Sequence, residues 1–284
     1  MDDRTAHLRY TRSMAGGSVV LITGSTDGIG KQAATDLARA GHHVVVHGRN
    51  RPRVDAAVAA VRAAAPEASV DGLSFDLGSL AAVRTGAAAI AQRFPTLAVL
   101  VNNAGIFATE RVVTEDGVEA TLAVNYLGHF LLTELLRPQL RAAGGGLVVH
   151  VSSVAHTRGR LHLDDLTMAS AWTGYAAYAQ SKLAQVMHVL DLANLAGDDG
   201  LRALAVHPGV IDTKLLRQGF GPVRGASLAT GARALTQLVT GELVPASGSY
   251  LADGVVVAPT AVASDVATRI RLREWSLATA GLPA

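Results

Sequence analysis

The chain has 284 residues, enough to bury a sizeable core, and is 49% hydrophobic with only 4% aromatic, so a globular protein packed mainly with Ala, Val and Leu is expected. The formal charge is only +2 and the arginines are scattered, so neither nucleic acid nor an anionic membrane is indicated as a partner. Cysteine is absent, which excludes disulfides, thiolate catalysis and cysteine-ligated zinc together.

Residues 1–17 carry acids and arginines without an apolar centre and read as a short tail; a single domain over 18–284 follows. Nowhere does an uncharged apolar run reach the length of a membrane span, so a soluble, cytoplasmic protein is expected. From Ser18 onward, β-branched runs alternate with Ala-rich amphipathic segments: VVLIT (19–23), HVVVH (43–47), VDGLSF (70–75), LAVLVN (97–102), LVVHVS (147–152) and LRALAVH (201–207). Uniformly apolar strands with helix-length connections predict an α/β protein, a Rossmann-type doubly wound parallel sheet with helices on both faces. GSYLADG (248–254) adds a last strand, and a helix is predicted from Ser264, as N-cap, to Leu277.

In such sheets ligands bind beyond the carboxyl ends of the strands. After the first strand stands TGSTDGIGK (23–31). A nucleotide triphosphate loop is disfavoured, because Ser25 stands where that motif needs glycine and Gln32 where it needs a magnesium-binding hydroxyl. Gly24, Gly28 and Gly30 instead form Gly-x-x-x-Gly-x-Gly between strand and helix, where the backbone can turn sharply and offer helix amides to a pyrophosphate. At the second strand end, Arg49 occupies the place where an acid would hold the ribose of NAD, and favours the 2′-phosphate of NADP. Asp27 nearby opposes it, and Arg51 and Arg53 read as solvated helix-start residues. Asp76 and Leu77 end the third strand within reach of an adenine edge, and NNAG (102–105) ends the fourth.

The segment YAAYAQSK (175–182) places Lys182 one helical turn above Tyr178 and well round the cylinder from Tyr175. Five tyrosines and three lysines would produce a chance Tyr-x-x-x-Lys only about 0.05 times in a chain of this length. A phenol is a poor acid–base group at neutral pH until a fixed ammonium stabilises its anion. His42, His43, His162, His207, Asp164 and Asp165 have no recognisable ligand spacing, so no metal is expected. His156 lies near Ser153, but a Ser–His hydrolase would need a Gly-x-Ser-x-Gly elbow, and the near-match Gly225–Ala229 follows no strand; His156 reads as pocket wall or capping residue. Lys214–Ala226, glycine-interrupted and mixed in polarity, reads as a substrate lid or as an ordinary surface loop.

Thr23-Gly24-x-x-x-Gly28-Ile29-Gly30, Asn102-Asn103-Ala104-Gly105, Asn125, Ser153, Tyr178-x-x-x-Lys182 and Pro208-Gly209 to Thr213 together resemble the short-chain dehydrogenase/reductase family, in its order. HGRN, VNYLGHFLLTELL, VSSVAH, GRLHLDDL and REWSLATAGL look most like its retinol dehydrogenase and WW-domain oxidoreductase subgroup, apart from the membrane anchor. The resemblance implies an oxidoreductase interconverting a small-molecule alcohol and carbonyl compound, with NADP(H) preferred over NAD(H). It implies Tyr178 as acid or base, Lys182 lowering its pKa, Ser153 rather than Ser152 on the developing oxyanion, and Asn125 seating a water. The implied cofactor residues are Gly24, Ser25, Thr26, Gly28, Ile29, Gly30, Arg49, Asn50, Asp76, Leu77, Asn103, Ala104, Gly105, Tyr178, Lys182, Pro208, Gly209, Ile211 and Thr213. A dinucleotide-binding sensor or scaffold without turnover is the alternative. Apolar residues cover more of Val118–Leu136 and Ala171–Leu190 than one sheet contact can bury, and the family pairs these helices, so a homodimer or homotetramer is expected.

Overall fold

A computed structural model of the protein describes residues 17–195 and 200–283. Residues 1–16 of the expected tail lie outside the described residues. The six apolar runs form parallel strands β1 (Val19–Ile22), β2 (His43–Gly48), β3 (Val70–Ser74), β4 (Val99–Asn102), β5 (Leu147–Val151) and β6 (Arg202–His207). The sheet order is β3-β2-β1-β4-β5-β6, continued by β7 (Tyr250–Ala252) and β8 (Val255–Val257).

Alternation along each strand sends successive side chains to opposite faces, and both faces are covered. Val20, Ile22, Val44 and Val46 pack under helices α1 (Gly28–Arg39), α2 (Arg51–Ala64) and α7 (Leu228–Val239). Leu21, Val45, Leu100 and Val148 pack on the other face, under α3 (Leu80–Arg93), α4 (Gly128–Ala142), α5 (Gly174–Leu195) and α9 (Val266–Thr279). Two further short helices are α6 (Lys214–Phe220) and α8 (Ala261–Ser264).

Three details differ from expectation. The predicted last strand is a hairpin: Asp253 and Gly254, with φ of 51° and 78°, turn the chain back so that β8 pairs antiparallel with β7. The last helix is capped by Asp265, whose carboxylate accepts the Thr268 amide at 2.8 Å, while Ser264 ends α8. The third difference concerns the faces that motivated an oligomer. They are largely buried within the subunit, and α9 adds to the cover: Tyr126 Oη meets Ser276 Oγ at 2.8 Å, Arg273 meets Glu134 at 3.2 Å, and Arg269 meets Asp191, just past the second segment, at 2.8 Å. Many of the described exposed large hydrophobics instead lie between Val255 and Ile270.

Candidate active site

The strand order reverses between β1 and β4, and the crevice there opens into a cleft of about 830 Å³ lined by the carboxyl ends of the strands. Its floor begins at the glycine turn. Gly28 has φ +57°, a conformation that side chains other than glycine rarely adopt. Gly30 lets α1 pack close to the turn: a Cβ there would lie 2.5 Å from Asn103 Nδ2 and 2.6 Å from Gly24 O. The turn is fastened to the fourth strand end by Thr23, whose hydroxyl accepts the amides of Asn103 and Ala104 at 2.9 and 3.0 Å.

His47, a residue not expected in the site, secures the second strand end. Its Nε2 donates to Phe75 O at 3.1 Å, leaving Nδ1 to accept the Gly24 amide at 3.3 Å. Burial pushes its pKa down to about 4, so this neutral form persists across the neutral range. Ser25 is turned inward and lies outside the cleft lining: its hydroxyl donates to Ile22 O at 2.7 Å and accepts the His47 amide at 3.0 Å. Asn50 also lies outside the lining, as the N-cap of α2, accepting the Arg53 amide at 3.1 Å.

Arg49 lines the cleft as expected, but so does Arg53, which sequence position alone had assigned to solvent. Its place in the first turn of α2, beside the glycine turn, is the signal that could have found it. Asp27 does not stand as a free opposing charge. It caps α1 through the Gly28 amide and pairs with Lys214 at 2.5 Å; the Lys214 hydrogen bond is the main cause holding its carboxyl below the usual range. Asp76 and Leu77 also line the cleft, Asp76 holding the Gly78 amide at 2.8 Å.

At the fifth strand end the two serines divide. Ser152 Oγ donates to Lys182 O at 2.9 Å, whereas Ser153 lines the cleft together with the buried Tyr178, its Oγ accepting the Ala155 amide at 3.2 Å. Lys182 Nζ is buried 5.4 Å from the Tyr178 ring centroid and donates to Val151 O at 2.8 Å and Gln185 Oε1 at 3.1 Å. Burial pushes the Tyr178 phenol up to about 12, against the smaller pull of Ser153, and pushes Lys182 down to about 7. The expected lowering of the phenol by the ammonium is therefore not seen, because desolvation favours the neutral form of each.

Asn125 sits behind the cleft wall, in a π-type turn (Ala123–Leu127) closed by the Gly128 amide on Ala123 O. Its side chain bonds Ile106 N and O at 2.8 and 3.1 Å and Ser181 Oγ at 3.0 Å. Its main-chain carbonyl is met by His129 Nδ1 at 3.0 Å and Gln185 Nε2 at 2.7 Å.

The remaining expected residues, Thr26, Ile29, Asn103, Ala104, Gly105, Pro208, Gly209, Ile211 and Thr213, all line the cleft. Thr213 caps α6, taking the Leu216 amide at 3.1 Å, and the expected lid contains that helix. Phe220 at its end packs on Tyr178, Phe107 and Tyr175, with ring centroids 5.9, 5.5 and 6.1 Å away. His156 is not part of the wall. Its Nδ1 bonds Ser153 O at 2.8 Å, and its ring packs on Tyr250.

An adenine-side pocket, a glycine-framed helix N-terminus and a Tyr–Lys pair, strung along the strand ends of one doubly wound sheet, define a dinucleotide-dependent oxidoreductase cleft. The described residues fit a nicotinamide dinucleotide: glycines stand where a Cβ would close the turn, and two arginines face the cleft. Residues 18–220 match the family model for short chain dehydrogenases. The chain is 40% identical over 273 residues to polyprenol dehydrogenase of Mus musculus, covering 90% of this chain and 82% of that one. It is 36% identical over 275 residues to retinol dehydrogenase 13 of Homo sapiens, covering 89% and 82%. A solved short chain dehydrogenase from Burkholderia cenocepacia J2315, in complex with NADP, superposes with TM-score 0.67 at 27% identity, over 84% of this chain and 98% of that one. The chain belongs to the short-chain dehydrogenase family, in its retinol dehydrogenase-like subgroup, and is an NAD(P)-binding oxidoreductase acting on CH–OH groups. No helix of the described residues is long and apolar enough to cross a membrane.

Proposed function

We propose that the chain interconverts an alcohol and a carbonyl compound with NADP(H) as preferred dinucleotide, NAD(H) as the weaker one, and Tyr178 as the acid and base. The observation that carries this reading is the buried Tyr178, which lines one cleft with Ser153 and has the Lys182 ammonium 5.4 Å from its ring centroid, one helical turn on. Gly24, Thr26, Gly28, Ile29 and Gly30 would hold the pyrophosphate, Asp76 and Leu77 the adenine, and Arg49 with Arg53 the 2′-phosphate. Asn103, Ala104, Gly105 and Pro208 to Thr213 would hold the nicotinamide half. When bound, that group supplies or accepts the hydride.

During reduction negative charge grows on the carbonyl oxygen. Ser153 and Tyr178 donate hydrogen bonds to it, and Tyr178 passes its proton. A phenol with a pKa near 12 is protonated throughout the neutral range, which suits the acid role; the base role gains as pH rises. Lys182 would hold the ribose, with Asn125 supporting it from behind. Phe107, Tyr175 and Phe220 surround Tyr178 with apolar surface, and the relatives are named for polyprenol and retinol, which supports an apolar alcohol or its carbonyl partner as substrate class.

Self-association as a homodimer or homotetramer is proposed through the exposed Val255–Ile270 surface rather than the buried helices, and light scattering at micromolar concentration tests it. A cytoplasmic location is supported by the absence of cysteine. A panel of carbonyl compounds, read as NADPH consumption, tests the activity. Turnover of apolar aldehydes or ketones is expected, and NADPH binding without turnover across the panel would favour a sensor or scaffold.

A further inference from the structure

We infer that Gln185 is a positioning residue of the reaction: its side-chain amide spans the Lys182 ammonium and the Asn125 carbonyl and aims the ammonium at the cleft. The inference rests on the proposed roles of Tyr178 and Lys182. Gln185 is fully buried one turn after Lys182 on α5. Its Oε1 accepts from Lys182 Nζ at 3.1 Å and its Nε2 donates to Asn125 O at 2.7 Å. Only this orientation of the amide is chemically consistent, since the reverse would set NH₂ against an ammonium and oxygen against a carbonyl. With Val151 O at 2.8 Å as the second acceptor, two of the three ammonium hydrogens are directed, and the third is left for the cleft that Lys182 lines.

The far end of this bridge is itself anchored. His129 Nδ1 donates to the same Asn125 carbonyl at 3.0 Å, and its Nε2 accepts the Thr23 hydroxyl at 2.8 Å. A continuous chain of bonds thus links the glycine turn to the ammonium, and burial keeps its one titratable member, His129, neutral down to about pH 3. Facing Lys182 are Tyr178 on its own helix, His129 from α4, His150 from β5 and His207 from β6, all held toward their neutral forms by burial. The Gln185 amide oxygen and the Val151 carbonyl are the acceptors that the Lys182 ammonium meets among the described residues.

Two substitutions separate positioning from packing. Gln185→Met keeps length and removes the acceptor, so the Lys182 midpoint should fall by about one pH unit; Gln185→Glu puts a carboxylate in its place, so the midpoint should rise by a similar amount. The chain's three lysines, Lys31, Lys182 and Lys214, allow a direct reading on the cofactor-free protein by NMR of ¹³C-labelled lysine side chains, assigned with Lys31→Arg and Lys214→Arg. The pH profile of kcat/KM with NADPH should move in the same two directions, with thermal melting of each variant as the folding control. If Gln185→Met does not fold, the upward shift in Gln185→Glu carries the test alone. Unmoved midpoints, or shifts of one sign in both variants, overturn the inference. An active Tyr178→Phe would instead overturn the reading beneath it, whatever Gln185 does.

Discussion

Replacing Arg49 with Asp tests the cofactor preference at a single side chain. Arg49 is exposed at the end of β2 and lines the cleft, as does Arg53 from the first turn of α2. A charge-assisted hydrogen bond to a phosphate contributes about 1.5 to 3 kcal/mol, and exposure to solvent screens the lower-quality part of that. The opposing charge of Asp27 is partly offset by its ion pair with Lys214. About 2 kcal/mol is therefore the expected contribution, equivalent to roughly 30-fold in kcat/KM. The assay is steady-state kinetics with NADPH and NADH against one carbonyl substrate. The wild type should prefer NADPH, and Arg49→Asp should lower the NADPH value about 30-fold while leaving the NADH value within about threefold. Arg53→Ala should produce a smaller loss in the same term. A wild type that favours NADH, or an unchanged ratio in Arg49→Asp, would show that Arg49 is only a surface residue at a helix start.

Tyr178→Phe should lower kcat by about 10²- to 10⁴-fold, the usual range for a positioned proton donor, while NADPH affinity measured by fluorescence stays near wild type. Tyr175→Phe, at an exposed ring, should cost less than about threefold, and equal losses in the two variants would reverse the choice of tyrosine. Gly30→Ala would press a Cβ to 2.5 Å from Asn103 Nδ2 and 2.6 Å from Gly24 O, so calorimetry should show a melting temperature lower by several degrees and titration a weaker NADPH complex. Glu134 gives a pH-dependent stability: burial alone would raise its pKa, but His188, Arg273 and Arg137 together bring it down to about 2 from an ordinary 4.5. Its folded pKa being depressed, the contribution, roughly 2 to 3 kcal/mol, is present above about pH 4.5 and lost as pH falls toward 2; Glu134→Gln should destabilise at pH 7, and the gap in urea melts should close below pH 4.

The sheet, the glycine turn and the Tyr–Lys pair were legible in the sequence because each is local. Apolar runs such as VVLI and HVVVH mark strands buried on both faces, Gly-x-x-x-Gly-x-Gly marks a turn that needs freedom at φ, and a four-residue spacing puts two side chains on one helix face. Where each side chain points, and what meets it there, depends on contacts between segments distant in sequence. Ser25 and Asn50 bond backbone rather than line the cleft, Asp27 is matched by Lys214 far along the chain, and Arg53 turns into the cleft from a helix start that reads as solvent-facing. Gln185 and Asn125 meet across α5 and the π-type turn, 60 residues apart, so no local period reports their bond. The helices expected to pair between subunits carry the predicted apolar residues, yet other segments of the same chain, α9 among them, cover much of that surface. Hydrophobic pattern determines that a face must be covered; which segment covers it is decided by the packing of the whole fold.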